Sequence, residues 1–361
     1  MRSLHWLLAL LPLFACQGAG DDGDTSSSGA TSDTAVTTGG PGSSSTGETS
    51  TSSTGTSTST STGTSTSTGS STGTETEGPT DTRGPGFDCD ALIEGPFVPT
   101  EVSSAFDGSE DIAFDGAGQL AGKRGEELLL VDAMGEQKVL TSGIPQAYGL
   151  RYRSDGTLIV ALPGEGKLLA VSPSGDVSDL LTDLGGPNGI YVDTKDRVWI
   201  TEFGGSAVIR LDSDDTLTTI VQGPDAAAAN GIVYDPEREL LFYTNYQAGF
   251  VRSVQFVGDK PGDPVVVTSI DGSPDGLVLD ACGNLYVVDQ GNSRLYRVML
   301  DADGVALGEP TLLAELPTNI ANAQFGSGSG FEPLALYLGG NPGIIYRLDV
   351  MVGGAPIPVV P

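Results

Sequence analysis

The chain has 361 residues and a formal net charge of −30. So acidic a protein has no electrostatic basis for binding nucleic acid or for docking on a membrane through a basic face, whereas cations are attracted to it. Its single histidine is His5, in the leader described next. The remainder therefore has no Ser-His-Asp triad, no imidazole zinc ligand and no histidine base, so a proton acceptor must be a carboxylate, Tyr or Lys.

Residues 1–16, MRSLHWLLALLPLFAC, place Arg2 before an apolar stretch from Leu7 to Ala15. That stretch is too short to span a bilayer and reads as a secretory signal. Its end, Leu13-Phe14-Ala15-Cys16, resembles a bacterial lipobox, which implies cleavage before Cys16 and diacylglycerol on its sulfur; an ordinary signal peptide is the alternative. Gln17 in place of Asp favours export past the inner membrane. The expected location is the bacterial cell envelope, at the outer membrane or cell surface, with membrane contact through the N-terminal lipid alone.

Residues 17–86 are almost wholly Ser, Thr and Gly with scattered acids. Such a segment has too little apolar surface to offset its ordering entropy and is expected to be a disordered tether. The folded domain is then 87–361, enough for one substantial core. With Cys16 lipidated, Cys89 and Cys282 remain. An exported protein meets an oxidising compartment, so these two either pair or stay as separated thiols.

Within the domain, segments open alike at Glu110, Tyr148, Asn188, Asn230, Asp275 and, more weakly, Asn322, spaced 38, 40, 42, 45 and 47 residues apart. Most continue with Gly and then an apolar strand. Self-similarity at this period, with short strands in each unit, predicts an all-β fold: a six-bladed β-propeller of four-stranded blades. The third repeat, GPNGIYVDTKDRVWITEFGGSAVIRLD, shows the plan of strand, turn, strand, tip and strand. Asp115, Asp193, Asp235 and Asp280 fall five residues after the opening position and read as turn residues that bond local backbone. The tips at 163–166, 202–206, 246–249 and 290–293 are expected at the mouth, where they bring Phe203, Tyr246, Gln247 and Gln290.

Equivalent positions of all blades face one axis. Two carboxylates (Glu110, Asp275) and two carboxamides (Asn188, Asn230) should therefore converge. Singly, Asn-Gly or Asp-Gly is the dipeptide of a tight turn; shared repeat position is what marks them. Buried carboxylates there need a counter-ion. An all-oxygen set suits a divalent cation, calcium first, with magnesium, manganese or oxygen-ligated zinc as alternatives.

Motifs such as SPDGLVLDACGNLYV and ANGIVYDPERELLFYT resemble the regucalcin/gluconolactonase family, which includes senescence marker protein and luciferin-regenerating-enzyme-like proteins, with diisopropyl fluorophosphatase as a structural cousin. The resemblance covers residues 105–348. It implies a central divalent metal held by Glu110 in SEDIAFD, by Asn230 and by Asp275, with Asn188 facing substrate or metal. Glu110 is followed by Asp-Ile, which leaves Asp111 as an alternative first-blade ligand. Gly186 stands where the sugar-lactone enzymes carry an Arg, a departure from aldonolactone recognition.

The leading expectation is a monomeric, metal-dependent hydrolase of lactones or related esters. Asp275 is the base by resemblance, with Glu110 as its alternative, and Asn188 is a second donor to the developing oxyanion. Tyr148, Phe203, Tyr246, Gln290 and Asn322 are the expected substrate contacts. The rivals are a tethered, non-catalytic binding module with a structural metal, and a lyase or synthase on the same fold.

Overall fold

The structure, a computed structural model, describes residues 86–358. The leader, the lipidation at Cys16 and the tether up to residue 85 lie outside the described residues.

Six antiparallel sheets form the blades. The inner strands are Ala113–Phe114, Leu150–Tyr152, Pro187–Val192, Ala229–Asp235, Pro274–Leu279 and Asn322–Phe325. Blades one, two, three and five each take four consecutive strands. Blade four adds a short fifth, Lys260–Pro261. The second strands are mostly apolar and buried, as in Leu158–Leu162 and in Leu285–Asp289, where only the last residue is charged. A strand covered on both faces by neighbouring sheets has no polar side to alternate with.

Cores lie between adjacent blades. Trp199 of blade three stacks on Tyr234 of blade four, with centroids 4.7 Å apart and planes 12° from parallel. Each recurrent Asp caps its hairpin. Asp193 accepts the N–H groups of Lys195 and Arg197 and the Trp199 Nε1–H. Asp115, Asp235 and Asp280 likewise bind the backbone of their own turns.

Blade six is closed by the other end of the chain. Its inner three strands are C-terminal, and the fourth is Thr100–Ser103, antiparallel to Ile345–Leu348 with Glu101 opposite Tyr346. Pairing both ends in one sheet removes the free edge that an open ring would leave. The sequence pattern does not announce this strand, because Thr-Glu-Val-Ser is largely exposed and carries no apolar alternation.

Upstream of it, residues 86–99 strap blades five and six. Cys89 and Cys282 form a disulfide, with Cα atoms 5.6 Å apart. The Phe97 N–H donates to Leu313 O at 2.7 Å and Arg297 Nη1 to Ile93 O at 3.0 Å. Phe87, Leu92 and Phe97 pack on the core shared by the two blades.

Candidate metal and substrate site at the propeller mouth

Three of the six inner strands are distorted where the site begins. In blades three, four and five the ladder slips between Pro187 and Ile190, Ala229 and Ile232, and Pro274 and Leu277. Three steps on the inner strand oppose two on its partner, so the pairs Asn188-Gly189, Asn230-Gly231 and Asp275-Gly276 each sit in a β-bulge. A bulge re-aims side chains and often lies beside a functional site. The dipeptides that read as tight turns are therefore strand residues, and none of these three glycines has a positive φ.

Their glycines serve close packing around the axis. A Cβ on Gly149 would lie 2.3 Å from the Asn188 carbonyl oxygen. On Gly189 it would be 2.1 Å from Asn230 O, and on Gly231 2.1 Å from Asp275 O. Blades two, three and four thus each press their glycine against the carbonyl of the next blade's key residue. Two threonines fasten the contact. The Thr201 hydroxyl donates to Asn230 O at 2.5 Å, and that of Thr244 to Asp275 O at 2.9 Å. Both threonines are fully buried.

Blade one departs from this pattern. Asp111 stands in the glycine's place, fully buried. It accepts the N–H groups of Ile112 and Leu150 and pairs with Arg151. Its Oδ2 binds blade two and its Oδ1 the next residue of its own blade, and the residue does not line the mouth. The structure brings Glu110, not Asp111, to the cavity.

The cavity has a volume of about 490 Å³. Glu110, Asn188, Asn230 and Asp275 all line it, as do Tyr148, Phe203, Tyr246 and Gln290. Asn322 does not. Its Oδ1 turns back to the Ala323 N–H at 2.9 Å, and the residue packs against Gly276, so its expected substrate contact is corrected. Gln146 also lines the cavity and was missed from sequence. It sits two residues before Tyr148, the offset that Gly186 has from Asn188, so comparing that offset across repeats would have found it.

Glu110 Oε2 and Asp275 Oδ2 are shielded from solvent, yet neither has a hydrogen-bond partner among the described residues. Burial pushes the Glu110 carboxyl up to about 7; the Gln290 amide opposes this and the Asp111 charge adds to it. Asp275 is held well above the usual carboxylate range by burial and then by Glu110 and Asp111. Tyr148 and Tyr246 are raised too, by burial and by the neighbouring carboxylates.

Two orphaned carboxylate oxygens with two carboxamides lining the same cavity fit a hard dication, because neither ionised acid has a cationic partner among the described residues. No group of three or more His, Cys, Asp and Glu side chains poised for a metal occurs among the described residues. A cation here would need carboxamide oxygen as well.

This arrangement has a signed pH consequence. A carboxyl raised on folding contributes stability below its unfolded pKa and loses it as pH rises through the folded one. For Glu110 that window runs from 4.5 to about 7. The metal-free protein should lose about 3 kcal/mol across it, measured by urea denaturation at pH 5 and pH 8. Saturating calcium should abolish the loss, because the cation favours the ionised carboxylate. A calcium-independent slope would separate the titration from the cluster.

No protein-family model matches the chain. In sequence it is 25% identical over 201 residues to a pentonolactonase, XacC, of Haloferax volcanii; the match covers 47% of this chain and 64% of that protein, so less than two thirds of the relative is spanned. In structure it is similar to a gluconolactonase of Xanthomonas campestris (TM-score 0.61, 18% identity, 73% of this chain and 93% of the other). It is also similar to a calcium-binding protein, regucalcin, of Agrobacterium tumefaciens (TM-score 0.59, 19% identity, 74% and 98%). The structural neighbours are thus six-bladed propellers of the gluconolactonase and regucalcin kind, and at these identities the likeness shows the fold.

Proposed function

We propose that the protein is a calcium-dependent hydrolase of lactones or related esters, with Glu110, Asn188, Asn230 and Asp275 as the metal ligands. The observation that carries this is the pair of buried, unpartnered carboxylate oxygens on two residues that line an accessible cavity. A purely structural cation would need no such mouth. The lactonase names among the relatives support the substrate class.

A dication held by these oxygens supplies carbonyl polarisation and a more acidic water. The chain's own groups do the rest. Asp275 Oδ2 takes a proton from the water whose oxygen bonds to the lactone carbonyl carbon, and Glu110 is the second candidate for that role. The ring C–O bond then breaks, and the proton passes to the departing oxygen to give the open hydroxy acid. The Asn188 amide is placed to donate to the carbonyl oxygen as its charge develops. Tyr148 and the Phe203–Tyr246 pair flank the space above.

We further place the domain outside the cytoplasm on the lipid tether implied by Cys16. The Cys89–Cys282 disulfide supports an oxidising compartment.

The test is calorimetric titration of the chelator-treated full chain with calcium, then magnesium and manganese, followed by a lactone and ester screen on the loaded protein. One site of roughly micromolar affinity or better, together with calcium-dependent ring opening, is expected. Absence of binding by any divalent ion would remove the catalytic reading and leave a propeller that binds through its rims.

A further inference from the structure

We infer that the mouth selects neutral lactones with an apolar or aryl body and few hydroxyls, and that Phe203 and Tyr246 form the platform for that body. This rests on the hydrolase reading above and narrows its substrate.

Charge comes first. Among the described residues no Lys, Arg or His lines the cavity, whereas Glu110 and Asp275 do. Even with a dication balancing those two carboxylates, nothing remains to hold a phosphate or carboxylate on the substrate. The substrate body is therefore neutral.

Hydroxyl recognition comes second. A polyhydroxylated ring needs several free donors and acceptors, since each buried hydroxyl left unpaired costs binding. The carboxamides above the ligands are partly engaged. Gln146 Oε1 accepts the Gly164 N–H at 2.8 Å, and Gln290 Oε1 accepts the Tyr246 hydroxyl at 2.7 Å while its amide acts on Glu110. Gln290 is thus committed at both ends and Gln146 at its oxygen, which leaves the Gln146 Nε2 and the Tyr148 hydroxyl as the polar groups above the ligands, a small set for a polyhydroxylated ring.

Part of the lining is bare backbone. Gly186 and Gly204 form it, and Gly186 sits at φ +78°, a backbone setting that disfavours any residue with a Cβ. Just behind, a Cβ on Gly185 would lie 2.5 Å from the Gly205 Cα, so the rim is bare backbone in close contact. A gripping side chain at position 186 would require a different loop, not a single substitution.

What remains is apolar. Phe203 and Tyr246 meet edge to face with centroids 5.9 Å apart, and Pro163 faces the same cavity. Two rings set at 65° make a corner that accepts a flat apolar group.

The test compares initial rates of the calcium-loaded full chain on dihydrocoumarin, a neutral aryl lactone, with those on D-glucono-1,5-lactone and D-xylono-1,4-lactone. Binding of the matching lactam, 3,4-dihydro-2-quinolinone, is followed in parallel by ligand-observed NMR. The expected result is a kcat/KM at least about tenfold higher for the aryl lactone. Phe203→Ala should raise its KM roughly tenfold with kcat little changed, and Phe203→Tyr should recover most of the loss. A preference for the sugar lactones would overturn the inference while leaving lactone hydrolysis standing. Lactam binding that depends on Phe203, with no lactone opened, would uphold the inference and sink the hydrolase reading instead. If the lactam does not bind and the aryl lactone is not opened, the inference is overturned.

Discussion

Asp275→Asn should cost calcium affinity roughly a hundredfold or more and abolish lactone opening, while the metal-free protein becomes more stable. The two effects come from one atom. Asp275 Oδ2 is buried without a partner, and its carboxyl is held well above the ordinary range by burial and by the Glu110 charge. Folding the metal-free chain at pH 8 must desolvate this charge beside another. A carboxamide of the same shape removes that cost, so a gain of about 1–2 kcal/mol at pH 8 is expected. A residue kept for structure would show the opposite sign on replacement. Asp193→Asn supplies that contrast: its carboxylate is fully used by Arg197 and Trp199, so it should lose stability and leave activity near the wild-type level. Urea denaturation with and without calcium, alongside calorimetric titration, reads both signs. A destabilised metal-free Asp275→Asn protein with unchanged calcium affinity would move the ion away from this cluster.

The repeat carried most of this site into view before any coordinates. Glu110, Asn188, Asn230 and Asp275 share a repeat position, and rotational equivalence about an axis turns equal sequence position into convergence. That argument fails where blades are not equivalent. Asn322 holds the register position, yet its carboxamide bonds the next N–H and never reaches the cavity. Asp111 sits where the others have glycine and became a latch to blade two. Dipeptide statistics alone gave Asn188-Gly189 little weight, because the demand for glycine comes from the neighbouring blade and not from φ. Closure by Thr100–Ser103 was illegible for a similar reason. Its place is set by backbone pairing with Ile345–Leu348, which leaves no mark on its own side chains.

Those glycines yield the second large effect. Gly231→Ala should cost about 3 kcal/mol or more, because a Cβ there would sit 2.1 Å from Asp275 O and 2.8 Å from Leu277 N. Both obstacles are backbone, so no side-chain rotation relieves them. The inner strands of blades four and five must part at the axis, and the Thr244 hydroxyl then loses its 2.9 Å bond to the same carbonyl. Because that carbonyl belongs to a proposed ligand, the strain reaches the metal set as well as the fold, and calcium affinity should fall more than tenfold. Thr244→Val separates the two contributions. It keeps the shape of the side chain and removes only the hydroxyl, leaving a buried Asp275 carbonyl short of its donor. It should weaken calcium binding with a smaller loss of stability than Gly231→Ala, and Thr244→Ser should restore the affinity. Should Gly231→Ala unfold at lower denaturant yet bind calcium as the wild type does, the glycine ring serves packing alone, and the bulges would then suffice to aim the four oxygens.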